Sequence, residues 1–116
     1  MSNERRKNNR VPVHCLIQLA TSNPQSATLA DLSLGGCFIN TDVQMYLGQQ
    51  FDLSFTVLGR AVRGTVVVRW FRAGVGFGTQ FMRLSLHSSQ NLHSIVHCLR
   101  GDRSPIPEAM AAVSDD

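Results

Sequence analysis

No hydrophobic run of any length interrupts this 116-residue sequence. Its apolar stretches, such as Thr65 to Val68, fall far short of the roughly 20 residues a membrane-spanning helix requires, so no transmembrane segment is expected. The N-terminus is charged at once, through Asn3-Glu4-Arg5-Arg6-Lys7, and no apolar segment with the length and flanks of a secretion signal follows it. A cytoplasmic protein is therefore expected. Cysteine is scarce: Cys15, Cys37 and Cys98 are odd in number, widely spaced and form no C-x-x-C pair. That pattern argues against a disulfide framework or a zinc site and predicts reduced thiols acting as small buried core residues. Lysine is nearly missing, with Lys7 the only one among eleven basic residues. At this length there is room for one domain with one core, which excludes a two-domain enzyme. A hydrophobic share of 43% with 16% charged residues is that of a folded globular chain.

The net charge of +3 becomes informative once it is located. Residues 1–10 hold Arg5, Arg6, Lys7 and Arg10 against Glu4 alone, whereas residues 11–116 balance seven Arg against seven Asp or Glu. The whole excess lies in the first ten residues. Arginine is the side chain whose planar fork makes paired hydrogen bonds to phosphate or to a guanine edge, so an anionic partner, a nucleotide among the candidates, is the first inference.

Residues 1–10 are polar and aperiodic and read as a flexible arm. From Val11 the pattern alternates: Val11, Val13, Cys15, Ile17 and Leu19 share one face, with His14 and Gln18 on the other. Thr21-Ser22-Asn23-Pro24 is a turn cluster. Ala27, Leu29 and Asp31 then alternate with Thr28, Ala30 and Leu32, the segment Ser33 to Gly36 interrupts, and Cys37 to Thr41 forms a short third strand. Asp42 to Gln50 is a longer connection. Phe51, Leu53, Phe55 and Val57 alternate with polar neighbours, and Leu58-Gly59-Arg60 turns the chain into Val62, Gly64, Val66, Val68 and Trp70 on one face, with Arg63, Thr65 and Arg69 outward. A turn at Arg72-Ala73-Gly74 leads to Val75, Phe77, Thr79 and Phe81. Six strands joined mostly by short connections predict a mainly β fold, a six-stranded antiparallel β-barrel. The period then changes: Leu92, Ile95, Val96 and Leu99 predict one C-terminal helix, capped by Ser85 or Ser88 and stopped by Gly101. The layout is thus an arm over 1–10, a barrel over 11–84, a helix over 85–100 and a tail over 101–116 that is poorly ordered or forms a brief helix.

Signals of catalysis and metal binding are weak. His14 stands alone, without a serine, cysteine or carboxylate in a nucleophile motif. His93 and His97 have metal-ligand spacing, but no third ligand is evident and the glutamate of H-E-x-x-H is missing. Gly74-Val75-Gly76-Phe77-Gly78 lacks the lysine and following helix of a phosphate loop, and its glycines read as allowing tight barrel curvature. Trp70 reads as core or pocket wall, able at a barrel rim to touch a base.

Two features remain, and their order is specific. Arg6 and Arg10 form R-x-x-x-R in the arm, and Asp31, Ser33 and Gly36 form D-x-S-x-x-G where a strand breaks. In that order, ahead of a barrel pattern, they resemble the PilZ domain, a bacterial receptor module for cyclic di-GMP. The resemblance runs from about Arg5 to Phe81 and also takes in Val68-Arg69-Trp70 and Gly74-Val75-Gly76-Phe77. It implies a six-stranded barrel with a C-terminal helix, in agreement with the pattern above, and a site made of Arg5, Arg6, Arg10, Asp31, Ser33, Gly35, Gly36 and Trp70. The ligand's phosphates, O6 and N7 suit arginine forks, the N1 and N2 hydrogens of guanine suit Asp31, Ser33 can share polar contacts, and Gly35-Gly36 lets the backbone approach.

The resemblance implies a non-enzymatic, bacterial, cytoplasmic receptor with no cofactor or metal. Arg5, directly before the motif, implies two molecules of cyclic di-GMP per chain. The partners expected are this ligand and a downstream protein, reached through ordering of the arm; no membrane insertion and no specific nucleic acid are expected, and the chain is expected to be a monomer. The alternatives are a small barrel binding single-stranded nucleic acid, for which only Trp70 and a few Phe are available as stacking platforms, and a ligand-independent protein adaptor.

Overall fold

Wherever apolar and polar residues alternate, the computed structural model, which describes residues 10–19 and 25–101, forms a strand. The six are β1 (Val11–Leu19), β2 (Gln25–Leu32), β3 (Gly36–Asn40), β4 (Gln50–Val57), β5 (Arg60–Arg72) and β6 (Gly76–Leu84), and α1 (Leu86–Leu99) comes after them. All pair antiparallel in one sheet of order β1-β2-β3-β6-β5-β4. The sheet curls until its two edge strands face each other, where the Cys15 thiol reaches the Thr56 carbonyl at 3.5 Å. No ladder joins β1 to β4 among the described residues, so the architecture is a curled half-barrel with one C-terminal helix. Among those residues no helix is long and apolar enough to cross a membrane. The tail expected over 101–116 lies, beyond Gly101, outside the described residues.

The concave side holds one core, in which Leu19, Leu29, Leu32, Ile39, Val62, Val66, Val68 and Phe77 are almost fully buried together with Leu92, Ile95 and Val96 of the helix. Ser85 caps α1 by accepting from the Ser88 N–H at 3.1 Å, and Gly101 stops it at φ 69°. The helix also closes an edge. β5 runs past the end of β6, whose pairing starts at Gly64↔Leu84, and there Ser88 Oγ accepts from the Arg63 N–H at 3.0 Å while Asn91 donates to the Ala61 carbonyl at 2.8 Å. Two helical side chains thus take the place of a missing strand.

The alternation misleads at three places. Cys37 is buried as expected, but Cys15 is only half-buried and Cys98 is exposed, because Cys15 lies at the open seam and Cys98 falls off the apolar stripe of α1. A bulge between Leu29 and Asp31 puts both Leu29 and Leu32 in the core and turns Asp31 to the convex face, not the face of Ala27 and Leu29. A second bulge between Val68 and Trp70 does the same on β5: Val66 and Val68 are core, whereas Trp70 is outside it. An extra residue in one strand reverses the side-chain alternation beyond it.

Candidate functional site

These two bulges assemble a row across four strands. Asp31 on β2 pairs with Phe38 on β3, Phe38 with Gly78 on β6, and Gly78 with Trp70 on β5. Paired residues share a face of the sheet, so all four lie on the convex side. There the indole of Trp70 leans across Gly78 and stacks on Phe38, with ring centroids 5.0 Å apart and planes 28° from parallel. Gly78 makes this possible: a Cβ at that position would collide with the indole ring. The stack covers Phe38 almost completely and leaves Trp70 half-exposed as a flat shelf.

Arginines flank the shelf. Arg10, just before β1, donates from Nη1 to Asp31 Oδ1 at 2.7 Å and holds its guanidinium 5.8 Å from the Trp70 ring centroid. Asp31 Oδ1 also accepts from the Phe38 N–H at 3.1 Å, which ties the carboxylate to β3. Its Oδ2 has no partner among the described residues. The second arginine, Arg72, lies 5.1 Å from the Phe38 centroid and 5.6 Å from that of Trp70. Arg10, the last residue of the expected arm, is the first described residue and makes these contacts where the chain enters the barrel. Arg5 and Arg6 lie outside the described residues.

Ser33 and the glycines have a different task from the one anticipated. Ser33 is buried, and its Oγ accepts from the N–H groups of Gly35 and Gly36 at 3.2 and 3.1 Å while donating to the Gly36 carbonyl at 3.2 Å. The Ser33 N–H meets the same carbonyl at 2.9 Å. The hydroxyl is consumed inside the turn, so Ser33 shapes the loop beside Asp31 instead of presenting a polar contact outward. Gly36 is required by packing, since a Cβ there would collide with the Thr79 carbonyl of β6. Gly35 accepts at its carbonyl from the Phe81 N–H at 2.8 Å, binding the turn to β6. In the Gly74–Gly78 stretch the glycines serve close approach rather than curvature: Gly76 lies against the Ile39 carbonyl and Gly78 under Trp70, while Gly74 takes φ 74° in the turn.

The site therefore combines an acceptor with one oxygen unpartnered among the described residues, a half-exposed aromatic face and guanidinium donors, a set suited to a purine base and an anion. Among the described residues no three His, Cys, Asp or Glu side chains gather as a metal centre. The sequence reading missed Phe38, Gly78 and Arg72. A Gly at every second position of the Gly74–Gly78 stretch was the visible signal for Gly78; the other two are an ordinary strand Phe and a turn Arg until the register is known.

A curled antiparallel half-barrel with arginines and a half-exposed indole on its convex face defines a class of small β domain. The chain belongs to the PilZ domain family, whose model matches residues 4–98. Among solved structures it is similar to the Bacillus subtilis inhibitor of motility MotI/DgrA, with TM-score 0.69 and 16% identity over 86% of this chain and 54% of that one. The chain thus spans about half the length of that protein. It is also similar to the PilZ domain of YcgR from Escherichia coli, a structure with c-di-GMP, with TM-score 0.65 and 17% identity over 94% of this chain and 99% of that one. A search of the curated proteins finds no match.

Proposed function

We propose that this domain is a non-enzymatic, cytoplasmic receptor for cyclic di-GMP that passes the binding event to a partner protein. The observation that carries the reading is the joint of Arg10, Asp31 and Trp70, in which a guanidinium, a carboxylate and an indole face come together on one surface. The PilZ family match and the fold shared with the YcgR domain support the choice of ligand. In this reading Asp31 Oδ2 accepts from the N1 and N2 hydrogens of a guanine, Arg6 and Arg10 donate to phosphate or to O6 and N7, Trp70 supplies the stacking face, and Ser33, Gly35 and Gly36 hold the loop that presents Asp31. Arg5 offsets the charge of a second ligand molecule, giving two per chain on a monomer. The layout of arm 1–10, barrel 11–84, helix 85–100 and tail 101–116 then acquires a mechanism: ligand phosphates cancel the repulsion among Arg5, Arg6, Lys7 and Arg10, the arm folds over the site from its anchor at Arg10, and the new surface, with the helix, receives the partner.

Titration calorimetry with cyclic di-GMP, cyclic GMP and a short oligonucleotide tests this. The expected outcome is selective binding of cyclic di-GMP at two per chain, falling by roughly tenfold or more in Arg6→Ala or Arg10→Ala, since one hydrogen bond to a charged group is worth about 1.5–3 kcal/mol. Arg5→Leu is expected to reduce the stoichiometry to one. Folded variants that bind as tightly as the parent would reject the assignment, and preference for the oligonucleotide would favour a nucleic-acid binder.

A further inference from the structure

Arg72 has an unusual setting for a surface arginine. Its backbone is fixed at the end of β5, where it pairs with Gly76 and its carbonyl accepts from the Val75 N–H at 3.0 Å to close the turn. Its side chain is exposed, yet the guanidinium lies astride the Phe38–Trp70 stack, within 6 Å of both ring centroids at 5.1 and 5.6 Å. Among the described residues the only ion pair is Arg10–Asp31, and none of their carboxylates pairs with Arg72. Ring faces attract a guanidinium without using its N–H groups, which point outward in its plane. Arg72 is therefore a charged fork with no side-chain hydrogen bond to another described residue, beside an indole half-exposed to solvent.

A base stacked on Trp70 would lie next to that fork, and the edge it turns toward Arg72 decides whether the two can bond. Guanine offers O6 and N7, two acceptors spaced for a guanidinium, whereas adenine offers N7 and the N6 amino group, a donor that opposes the fork. Arg10 is already committed in part to Asp31, through the 2.7 Å bond, and enters from β1, whereas Arg72 enters from the β5–β6 turn. The two arginines thus approach Trp70 from different elements, and Arg72 is the one with no competing carboxylate among the described residues.

Resting on the receptor reading above, we propose that Arg72 is a further ligand-binding residue of this site, one that reads the O6/N7 edge of a guanine stacked on Trp70 and so adds to the preference for guanine over adenine. The phosphates are left to the arginines of residues 5–10. Affinity and base preference then fall mainly to different residues: the N-terminal arginines contribute charge to any cyclic dinucleotide, and Arg72 contributes discrimination on the O6/N7 edge beside that of Asp31 on the N1/N2 edge.

Trp70 is the only tryptophan, so its fluorescence reports on the site directly. The test measures binding of cyclic di-GMP, the mixed cyclic GMP–AMP and cyclic di-AMP by calorimetry and by Trp70 quenching, for the parent, Arg72→Ala, Arg72→Lys and the control Arg83→Ala, which removes the same charge far along β6. The expected parent order is cyclic di-GMP first and cyclic di-AMP last. In Arg72→Ala the preference for cyclic di-GMP over cyclic di-AMP collapses by about tenfold or more, the scale of one bidentate arginine–guanine pair. Arg72→Lys keeps the charge but not the fork, so it retains most affinity at low salt while losing the preference; Arg83→Ala keeps the parent ratio. Thermal melting confirms that each variant is folded. A parent that binds cyclic di-GMP, with an unchanged ratio in Arg72→Ala, overturns the role of Arg72 alone; a parent that binds no cyclic dinucleotide overturns this role and the receptor reading together.

Discussion

Trp70 owes its position to the bare backbone of the residue beside it: without a Cβ on Gly78, the indole lies flat across β6 and reaches Phe38. Gly78→Ala is accordingly expected to lift the indole off the stack, costing about 1–3 kcal/mol in stability as overpacking does. The same variant should weaken cyclic di-GMP binding, and a shift in tryptophan emission before any ligand is added would locate the cause. Gly74→Ala is a poor control because φ 74° strains any L side chain there. Among the thiols, burial pushes Cys37 up to about 12, with the Thr79 hydroxyl 3.2 Å away only partly opposing that rise. Since the thiolate is the reactive form, an aromatic disulfide reagent at neutral pH should modify exposed Cys98 first and half-buried Cys15 more slowly, and reach Cys37 only on unfolding. Rapid release of three equivalents from the native protein would contradict this placement.

The β4–β5 hairpin shows how an element is set by its turn. Val57 pairs with Arg60 across the two-residue loop Leu58-Gly59, whose φ values are 54° and 74°. Positive φ at both positions is the turn whose twist matches that of the strands, and it favours Asn or Asp followed by Gly. Gly59 suits it; Leu58 does not, and an L residue in the left-handed region carries a penalty of roughly 1 kcal/mol. The leucine side chain is exposed and recovers little by burial. Leu58→Asn is therefore expected to stabilise the domain by about 0.5–1 kcal/mol, read as a raised midpoint in thermal or urea unfolding with cyclic di-GMP binding unaltered. The hairpin tolerates the strain because eight cross-strand pairs and the core residues Phe51, Leu53, Phe55 and Val62 hold it in register.

For the domain taken as one folding unit, the helix is the lid of the core, and its titration enters the global stability. Burial pushes the His93 imidazole below its ordinary value of 6.5. The unfolded chain then binds the proton more readily than the folded one, so the stability linked to His93 is fully present above about pH 6.5 and declines as the pH falls from there toward the lower folded value. Urea midpoints measured between pH 8 and pH 5 should fall with acidity over that window, and His93→Gln should flatten this part of the profile. A profile that rises toward pH 5, or one unchanged by the substitution, would show that other groups dominate.

Strand number, strand order along the chain, the Ser85 cap and the Gly101 stop were all legible in the sequence, because alternation and capping depend on neighbours within a few residues. So were Arg10 and Asp31 as motif residues, through the spacings R-x-x-x-R and D-x-S-x-x-G, although their ion pair appears only in the fold. The face on which Asp31 and Trp70 stand was not legible, because a single bulge inverts the alternation and its position depends on the pairing partner. Nor was the role of Ser33, which reads as a ligand contact until the turn closes on its hydroxyl. Phe38, Gly78 and Arg72 join the site only when β3, β6 and β5 lie side by side, 34 residues separating Phe38 from Arg72 in the chain. Local order comes from short-range pattern, whereas the chemistry of the convex face depends on register between distant strands, which only the packed core determines.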